Sequence, residues 1–106
     1  SEIPHEGLSR YKLPRSTFVD EISIIGPGVT LGENVRIERS VIGSNCKIDK
    51  DVSIVNSVIW SDTMIDSEAQ ISGSLIGCGC YIGRAAMLTP GTVLGGNDVV
   101  TDHSSL

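Results

Sequence analysis

The sequence has few aromatic residues, few basic residues and an odd number of cysteines. Its 106 residues contain four aromatic side chains, Tyr11, Phe18, Trp60 and Tyr81. Any core must therefore consist mainly of Ile, Val and Leu, two of which are strong β-formers. The formal net charge of −5 argues against nucleic acid or an acidic membrane as a partner. No apolar run approaches the roughly 18 residues of a membrane-spanning helix, so we expect a soluble protein. The length of 106 residues predicts one domain.

Cysteine and histidine are too scarce for the sites that they usually build. Cys46, Cys78 and Cys80 cannot all be paired, and we expect a reducing, cytoplasmic setting. The two histidines, His5 and His103, are too few for a three-histidine zinc site. The last two cysteines also lack the spacing of a zinc knuckle. The sequence therefore predicts no metal site and no cofactor in this domain.

A repeat of 17 or 18 residues runs through most of the chain. Ile, Leu or Val recurs in steps of six, six and five residues, and the final steps are all six. This series is Val19, Ile25, Leu31, Ile37, Ile42, Ile48, Ile54, Ile59, Ile65, Ile71, Ile76, Ile82, Leu88, Leu94, Val100 and Leu106. A second series of small or slim residues lies two positions earlier and includes Ser40, Cys46, Ser57, Thr63, Ser74 and Cys80. Residues i and i−2 of a strand point to the same side, so both series should face inward.

Turn-forming residues separate these short strands. Gly26-Pro27-Gly28 and Gly43-Ser44-Asn45 are two examples, and Gly and Asn tolerate the positive φ of sharp corners. Three strands and three corners complete one circuit of a triangular coil. The sequence thus predicts an all-β fold, a parallel β-helix of about five triangular coils with 17–18 residues per coil. An antiparallel sandwich of short strands would not require this register.

Five segments resemble the hexapeptide repeat of left-handed β-helices: IGPGVT, LGENVR, IDKDVS, IDSEAQ and IGRAAM. The resemblance implies a left-handed coil, although crossover rules for ordinary sheets would favour the other hand. It assigns residues 17–106 to the β-helix domain. Residues 1–16 contain no repeat and two of the four prolines, and we expect them to form a linker or an N-terminal cap.

The phrases SVIG and SVIW, each following a five-residue step, are similar to the C-terminal β-helix of sugar-1-phosphate nucleotidyltransferases. That group includes mannose-1-phosphate guanylyltransferase and the glucose-1-phosphate nucleotidyltransferases. Related subunits occur in the guanine-nucleotide exchange factor for eukaryotic translation initiation. The resemblance implies a non-catalytic oligomerisation or regulatory domain. The parent enzyme would make an NDP-sugar from an NTP and a sugar-1-phosphate, with Mg²⁺ in its separate catalytic domain.

Two alternatives stay open. The first is a hexapeptide acyltransferase domain, which would resemble its relatives in using a coil histidine as a general base. The second is a scaffold subunit of an exchange-factor-like complex. No catalytic residue is assigned in this chain, because its glycines lie at coil corners and not in a nucleotide-binding loop.

One outward row of the predicted coil is apolar throughout. The residue between the two inward positions points outward, and on one face these residues are Ile24, Val41, Val58, Leu75 and Val93. The other two rows are polar or mixed. Trp60 follows Ile59 at the edge of the apolar face, where equivalent positions carry glycine. These six residues are the predicted interface with another subunit or with the parent's catalytic domain.

Overall fold

The computed structural model describes residues 13–106, and all regular secondary structure in that range is β. Each strand has only two or three residues, because a corner follows almost at once. In chain order they are β1 (Phe18–Val19), β2 (Ile24–Ile25), β3 (Thr30–Leu31), β4 (Arg36–Glu38), β5 (Val41–Ile42), β6 (Lys47–Ile48), β7 (Ser53–Val55), β8 (Val58–Ile59), β9 (Met64–Ile65), β10 (Gln70–Ser72), β11 (Leu75–Ile76), β12 (Tyr81–Ile82), β13 (Met87–Leu88), β14 (Val93–Leu94) and β15 (Val99–Val100). Within residues 13–106 no helix is long and apolar enough to cross a membrane.

Three parallel sheets of five strands form the walls of the coil. Sheet A contains β1, β4, β7, β10 and β13, sheet B contains β2, β5, β8, β11 and β14, and sheet C contains β3, β6, β9, β12 and β15. Like residues pair with like, so that Ile54 lies between Ile37 and Ile71. The described chain measures 38 by 22 by 21 Å. It is a parallel β-helix of about five triangular coils, as the repeat predicts.

The core is a stack of aliphatic side chains along the axis. The inward series from Ile37 to Leu88 is at most 1% exposed. The slim series beside it is buried as well, including Cys46 and Cys80, whereas Cys78 is exposed at a corner. Leu106 is an exception at 49% exposure. It keeps the predicted periodic position, because the bridge between Met87 and Ser105 sets it in register with Leu88, but no coil of the described chain lies on it to bury it.

The corners are so tight that only certain residue types fit them. Asn34, Asn45 and Asn56 adopt φ values of 58°, 61° and 53°, in the left-handed region that Asn tolerates better than most residues. Gly43 is selected by a close approach of the next coil. A Cβ atom at Gly43 would lie 2.5 Å from the backbone nitrogen of Ser61, so a side chain there would push two coils apart.

Buried serines form a hydrogen-bonded ladder at the five-residue corner between sheets A and B. The backbone N–H groups of Ser40, Ser57 and Ser74 donate to the Oγ of the serine one coil earlier, at 3.0 to 3.1 Å. Each of these three serines also donates its own hydroxyl to the carbonyl two residues before it, at 2.8 to 2.9 Å. The ladder explains the serine of each SVI phrase, because its hydroxyl accepts a buried backbone N–H that the short corner would leave unpaired. The carbonyl to which it donates also accepts a backbone N–H of the next coil, as Val55 does from Gly73 at 2.9 Å.

Ser57→Ala should destabilise the coil. It removes the acceptor of the Ser74 N–H and one of two donors to the Val55 carbonyl, and leaving the buried N–H unpaired costs about 1–3 kcal/mol. Urea unfolding followed by circular dichroism measures the change. Ser53→Ala is the control, because Ser53 points outward and is only half-buried. Equal stabilities for the two variants would contradict the structural role of the ladder.

Candidate functional site

The predicted apolar row lies in one line on the outside of sheet B. Strand pairing places Ile24 beside Val41, Val41 beside Val58, Val58 beside Leu75, and Leu75 beside Val93. Four of the five side chains are exposed, at 38% for Val41 and up to 68% for Val93, and Val58 in the centre is half-buried. None of the five carries a charge, so the row forms a continuous apolar stripe.

The other two faces are not apolar throughout. The outward row of sheet C is Thr30, Lys47, Met64, Tyr81 and Val99, and that of sheet A is Phe18, Arg36, Ser53, Gln70 and Met87. The guanidinium of Arg36 lies 5.5 Å from the centre of the Phe18 ring and forms an ion pair with Glu38. Sequence reasoning did not place Phe18 and Val99 in these rows. The signal was available, since each directly precedes an inward residue of the repeat.

A shallow groove runs along one side of the apolar row. Its volume is about 390 Å³, and its lining includes Ile22, Arg39, Val41, Asn56 and Val58. Ile22 is 68% exposed and widens the apolar surface beyond the predicted row. Sequence reasoning missed Ile22 because it lies in a turn, outside both series of the repeat.

Trp60 projects from the corner at the other side of sheet B and is 58% exposed. Its backbone keeps the geometry of the repeat: its N–H donates to the Ile76 carbonyl at 2.9 Å, and its carbonyl accepts the Cys46 thiol at 3.2 Å. The equivalent residues one coil before and one coil after are Gly43 and Gly77. At this corner Trp60 thus carries a large side chain where the neighbouring coils have glycine. The indole lies beside the apolar row.

Sheet C carries a second groove, of about 410 Å³, whose lining includes Lys47, Met64, Asp66 and Tyr81. The Tyr81 hydroxyl donates to Asp66 Oδ2 at 2.9 Å. A hydrogen bond from the Ser67 N–H, followed by that from Tyr81, lowers the pKa of Asp66. The same bond to Asp66 raises the pKa of Tyr81. The pair therefore links neighbouring coils as a carboxylate and a protonated phenol, and neither group is set up as a nucleophile.

Within residues 13–106 the other reactive side chains do not come together into a catalytic arrangement. Burial raises the pKa of the Cys46 thiol, and the Cys80 thiol donates to the Gly95 carbonyl at 3.0 Å. His103 is exposed at a corner, with its Nε2 3.4 Å from Nη2 of Arg84, and it lines neither groove. Among residues 13–106 no three Cys, His, Asp or Glu side chains are grouped as metal ligands. His5 and most of the predicted linker, residues 1–12, lie outside the described residues.

The coil, its hexapeptide corners and its exposed columns define the class as a hexapeptide-repeat β-helix protein. The family model described as the EIF2B subunit epsilon LbH domain matches residues 8–106. The chain belongs to this family of left-handed β-helix domains, and the left-handed coil implied by the resemblance is thereby confirmed.

Acetyltransferase domains are among the solved structures with a similar fold. The acetyltransferase domain of PglB from Neisseria gonorrhoeae FA1090 is 17% identical with a TM-score of 0.52, and the match covers 91% of this chain and 50% of that one. The same domain in complex with acetyl coenzyme A gives 14% identity and a TM-score of 0.50, with coverages of 94% and 58%. At these identities the likeness concerns the fold alone. This chain spans about half the length of these structures. A search of curated proteins found no match.

Trp60→Gly should leave the fold almost unchanged. Glycine is the residue of this corner in neighbouring coils, and we expect a loss below about 1 kcal/mol, the usual cost of a flexible glycine. Gly43→Ala in the same column should cost more, about 1–3 kcal/mol, because its Cβ meets the backbone of the next coil. Urea unfolding of both variants tests the comparison. A larger loss for Trp60→Gly would mean that the indole is part of the core and not of a surface.

Proposed function

We propose that this chain is a non-catalytic assembly domain that packs through the outer face of sheet B against a second copy of itself. The observation that carries the proposal is the uncharged row from Ile24 to Val93, which lies in register across all five strands of the sheet. An exposed apolar surface of this continuity usually marks a contact site. Trp60 lies at the edge of this row, and tryptophan is enriched among the interface residues that contribute most to binding energy.

The row is self-complementary about its middle residue. A two-fold axis through Val58 would place Val58 against its own copy, Val41 against Leu75, and Ile24 against Val93. Every one of these pairs is apolar, so no charge would be buried unpaired, and symmetric pairs of this kind are the commonest form of homo-oligomer. A second copy is therefore the partner that the face suits best.

The size of the sheet B face determines how strong a dimer we expect. Five strands about 4.8 Å apart make it about 19 Å tall, and the coil is 22 Å across. One face thus offers about 400 Å² per partner, half of the roughly 800 Å² per partner of a standard stable interface. We expect a weak dimer that forms at high concentration and that further domains of the parent protein would reinforce.

For the parent protein, we propose the sugar-1-phosphate nucleotidyltransferase group or the exchange-factor subunits related to it. The SVI phrases support the first, and membership in the EIF2B subunit epsilon LbH domain family supports the second. In either case this domain needs no cofactor, and Mg²⁺ would belong to a separate catalytic domain of an enzyme parent. The acyltransferase alternative is less well supported, because His103 lies apart from both grooves.

Val58→Lys should abolish self-association. A two-fold interface would bring two copies of the substituted residue together at its centre, and burying like charges is strongly unfavourable. We expect sedimentation velocity of the unmodified chain to show a rising weight-average mass above 11.2 kDa as concentration increases. The variant should remain a monomer, with affinity reduced more than tenfold.

Gln70→Lys is the matched control, because it adds the same charge at an exposed outward position on sheet A. It should associate like the unmodified chain. The proposal fails if the unmodified chain stays monomeric up to millimolar concentration, or if both lysine variants weaken association equally.

A further inference from the structure

Trp60 lies between two glycines in one corner column, which leaves open space on both sides of its indole. The equivalent residue one coil earlier is Gly43, and one coil later it is Gly77. Each lies about 4.8 Å from Trp60 along the coil axis. From Trp60 the column is therefore the same in both directions, with a large ring in the middle coil and no side chain in the coil on either side.

The column at the opposite corner of sheet B differs in the two directions. The residue directly before each buried serine of the ladder is Arg39 in one coil, Asn56 in the middle coil and Gly73 in the next. Arg39 is exposed, and its Nε–H donates to Asn56 Oδ1 at 2.8 Å. Gly73 has no side chain. This column is therefore bulky on one side of the middle coil and bare on the other.

The two corner columns favour one relative direction for two copies packed face to face. If both coils ran in the same direction, each column would lie against the other one. Gly73 would then meet Gly77, and no side chain would fill the space between them. If the coils run in opposite directions, each column meets its own reversed copy. Arg39 then lies against the partner copy's Gly73, so that the bulky half of the column covers the bare half.

The apolar row also fits opposite directions better. This arrangement places Leu75 of one copy against Val41 of the other, so a larger side chain faces a smaller one. Val41 and Val58 line the groove beside the row, and Leu75 is 49% exposed, so the leucine has space to enter there. Equal directions would place Val41 against its own copy and leave the groove unfilled.

We propose that two copies pack with their coils in opposite directions and that their Trp60 indoles stack on each other at the two-fold axis. This inference rests on the proposed association through sheet B. The axis would run parallel to β8, in the plane between the faces. It would pass beside both Val58 and Trp60, because Trp60 directly follows that strand.

Each indole would then meet its own copy. The bare positions at Gly43 and Gly77 leave room for the rings to lie in an offset stack, a geometry that aromatic pairs prefer. An aromatic side chain buries about 150–250 Å², so the two rings would add substantially to a face of about 400 Å² per partner. Trp60 would thus contribute more to association than any single residue of the row.

Trp60→Gly should weaken self-association at least tenfold, because it removes both stacked rings but keeps the glycine geometry of the neighbouring corners. Sedimentation velocity over a concentration series measures the change. Met64→Ala is the control, since it shortens an exposed large side chain on sheet C and should associate like the unmodified chain.

Intrinsic fluorescence reports on the same contact, because Trp60 is the only tryptophan of the chain. As the concentration of the unmodified chain rises, its emission should shift to shorter wavelength, and quenching by acrylamide should fall at least twofold. Val58→Lys should remove both changes.

Cross-linking distinguishes the two directions. The Cys78→Ser background removes the exposed cysteine of the described chain. A bismaleimide that spans the roughly 10 Å between packed sheets should join Ile24→Cys to Val93→Cys in a mixture of the two variants. Mass spectrometry identifies this peptide pair. Each variant alone should give no covalent dimer, because opposite directions separate its two cysteines by about 19 Å along the coil axis.

The outcomes separate this inference from the proposed function. Covalent dimers of Ile24→Cys alone would mean equal directions and would overturn the inference while leaving association through sheet B intact. Unchanged association of Trp60→Gly would overturn it in the same way. Val58→Cys lies at the axis in both arrangements and should be cross-linked whenever the faces meet. If it is not, and the unmodified chain stays monomeric, the proposed function and the inference are both wrong.

Discussion

Each coil of this protein makes its backbone hydrogen bonds with the coils directly before and after it, about 4.8 Å away. The Ile24 N–H reaches Ser40, and the Gly43 N–H reaches Ile59. This stacking requires every residue to match the shape of its equivalents 17 or 18 positions away. Isoleucine repeats inside because identical side chains stack without gaps, and glycine recurs at corners where a Cβ would touch the next backbone. Core, corners and surface all follow from this one requirement.

The same requirement limits where function can reside. In residues 13–106 the interior is filled by stacked aliphatic side chains, so the faces and corners are the surfaces open to a ligand. On a face, stacking turns a single outward residue type into a column. A repeated Val or Leu at one position becomes a continuous apolar stripe, whereas a single substitution such as Trp60 becomes an isolated projection. Such a surface suits binding better than catalysis, because its columns bring similar residues together, whereas catalysis needs complementary ones.

Stacking also pairs the polar groups inside the coil. No buried side-chain nitrogen or oxygen in the described chain lacks a hydrogen-bond partner. Within the stack the serine ladder satisfies the corner amides, and each serine depends on the one before it. At two other corners an aspartate side chain accepts a backbone amide: the Ser23 N–H donates to Asp20 Oδ1, and the Gly95 N–H donates to Asp98 Oδ2. Serine and aspartate side chains therefore pair backbone amides at different corners of the described coils.

Much of this architecture is readable from the chain itself. The steps of six, six and five predict the three sheets, the inward columns and the apolar row. They do so because residues separated by one full coil in the sequence lie next to each other in the stack. Features that break the repeat are not predictable in this way. Leu106 keeps the periodic position but is exposed, since burial depends on a covering coil. Ile22 joins the apolar surface from a turn, outside the repeat.

The sequence by itself thus determined the period, the core columns and the composition of each face. Only the tertiary structure decided how individual side chains are placed around that repeat. The exposure of Trp60 depends on its glycine neighbours one coil away, and the hydrogen bonds that Asp20 and Asp98 accept depend on the corner amides beside them. An aspartate in a repeat position reads as an irregularity in the sequence. Its part in the structure shows only when its carboxylate lies within hydrogen-bonding distance of a backbone amide, as Asp98 Oδ2 does of the Gly95 N–H.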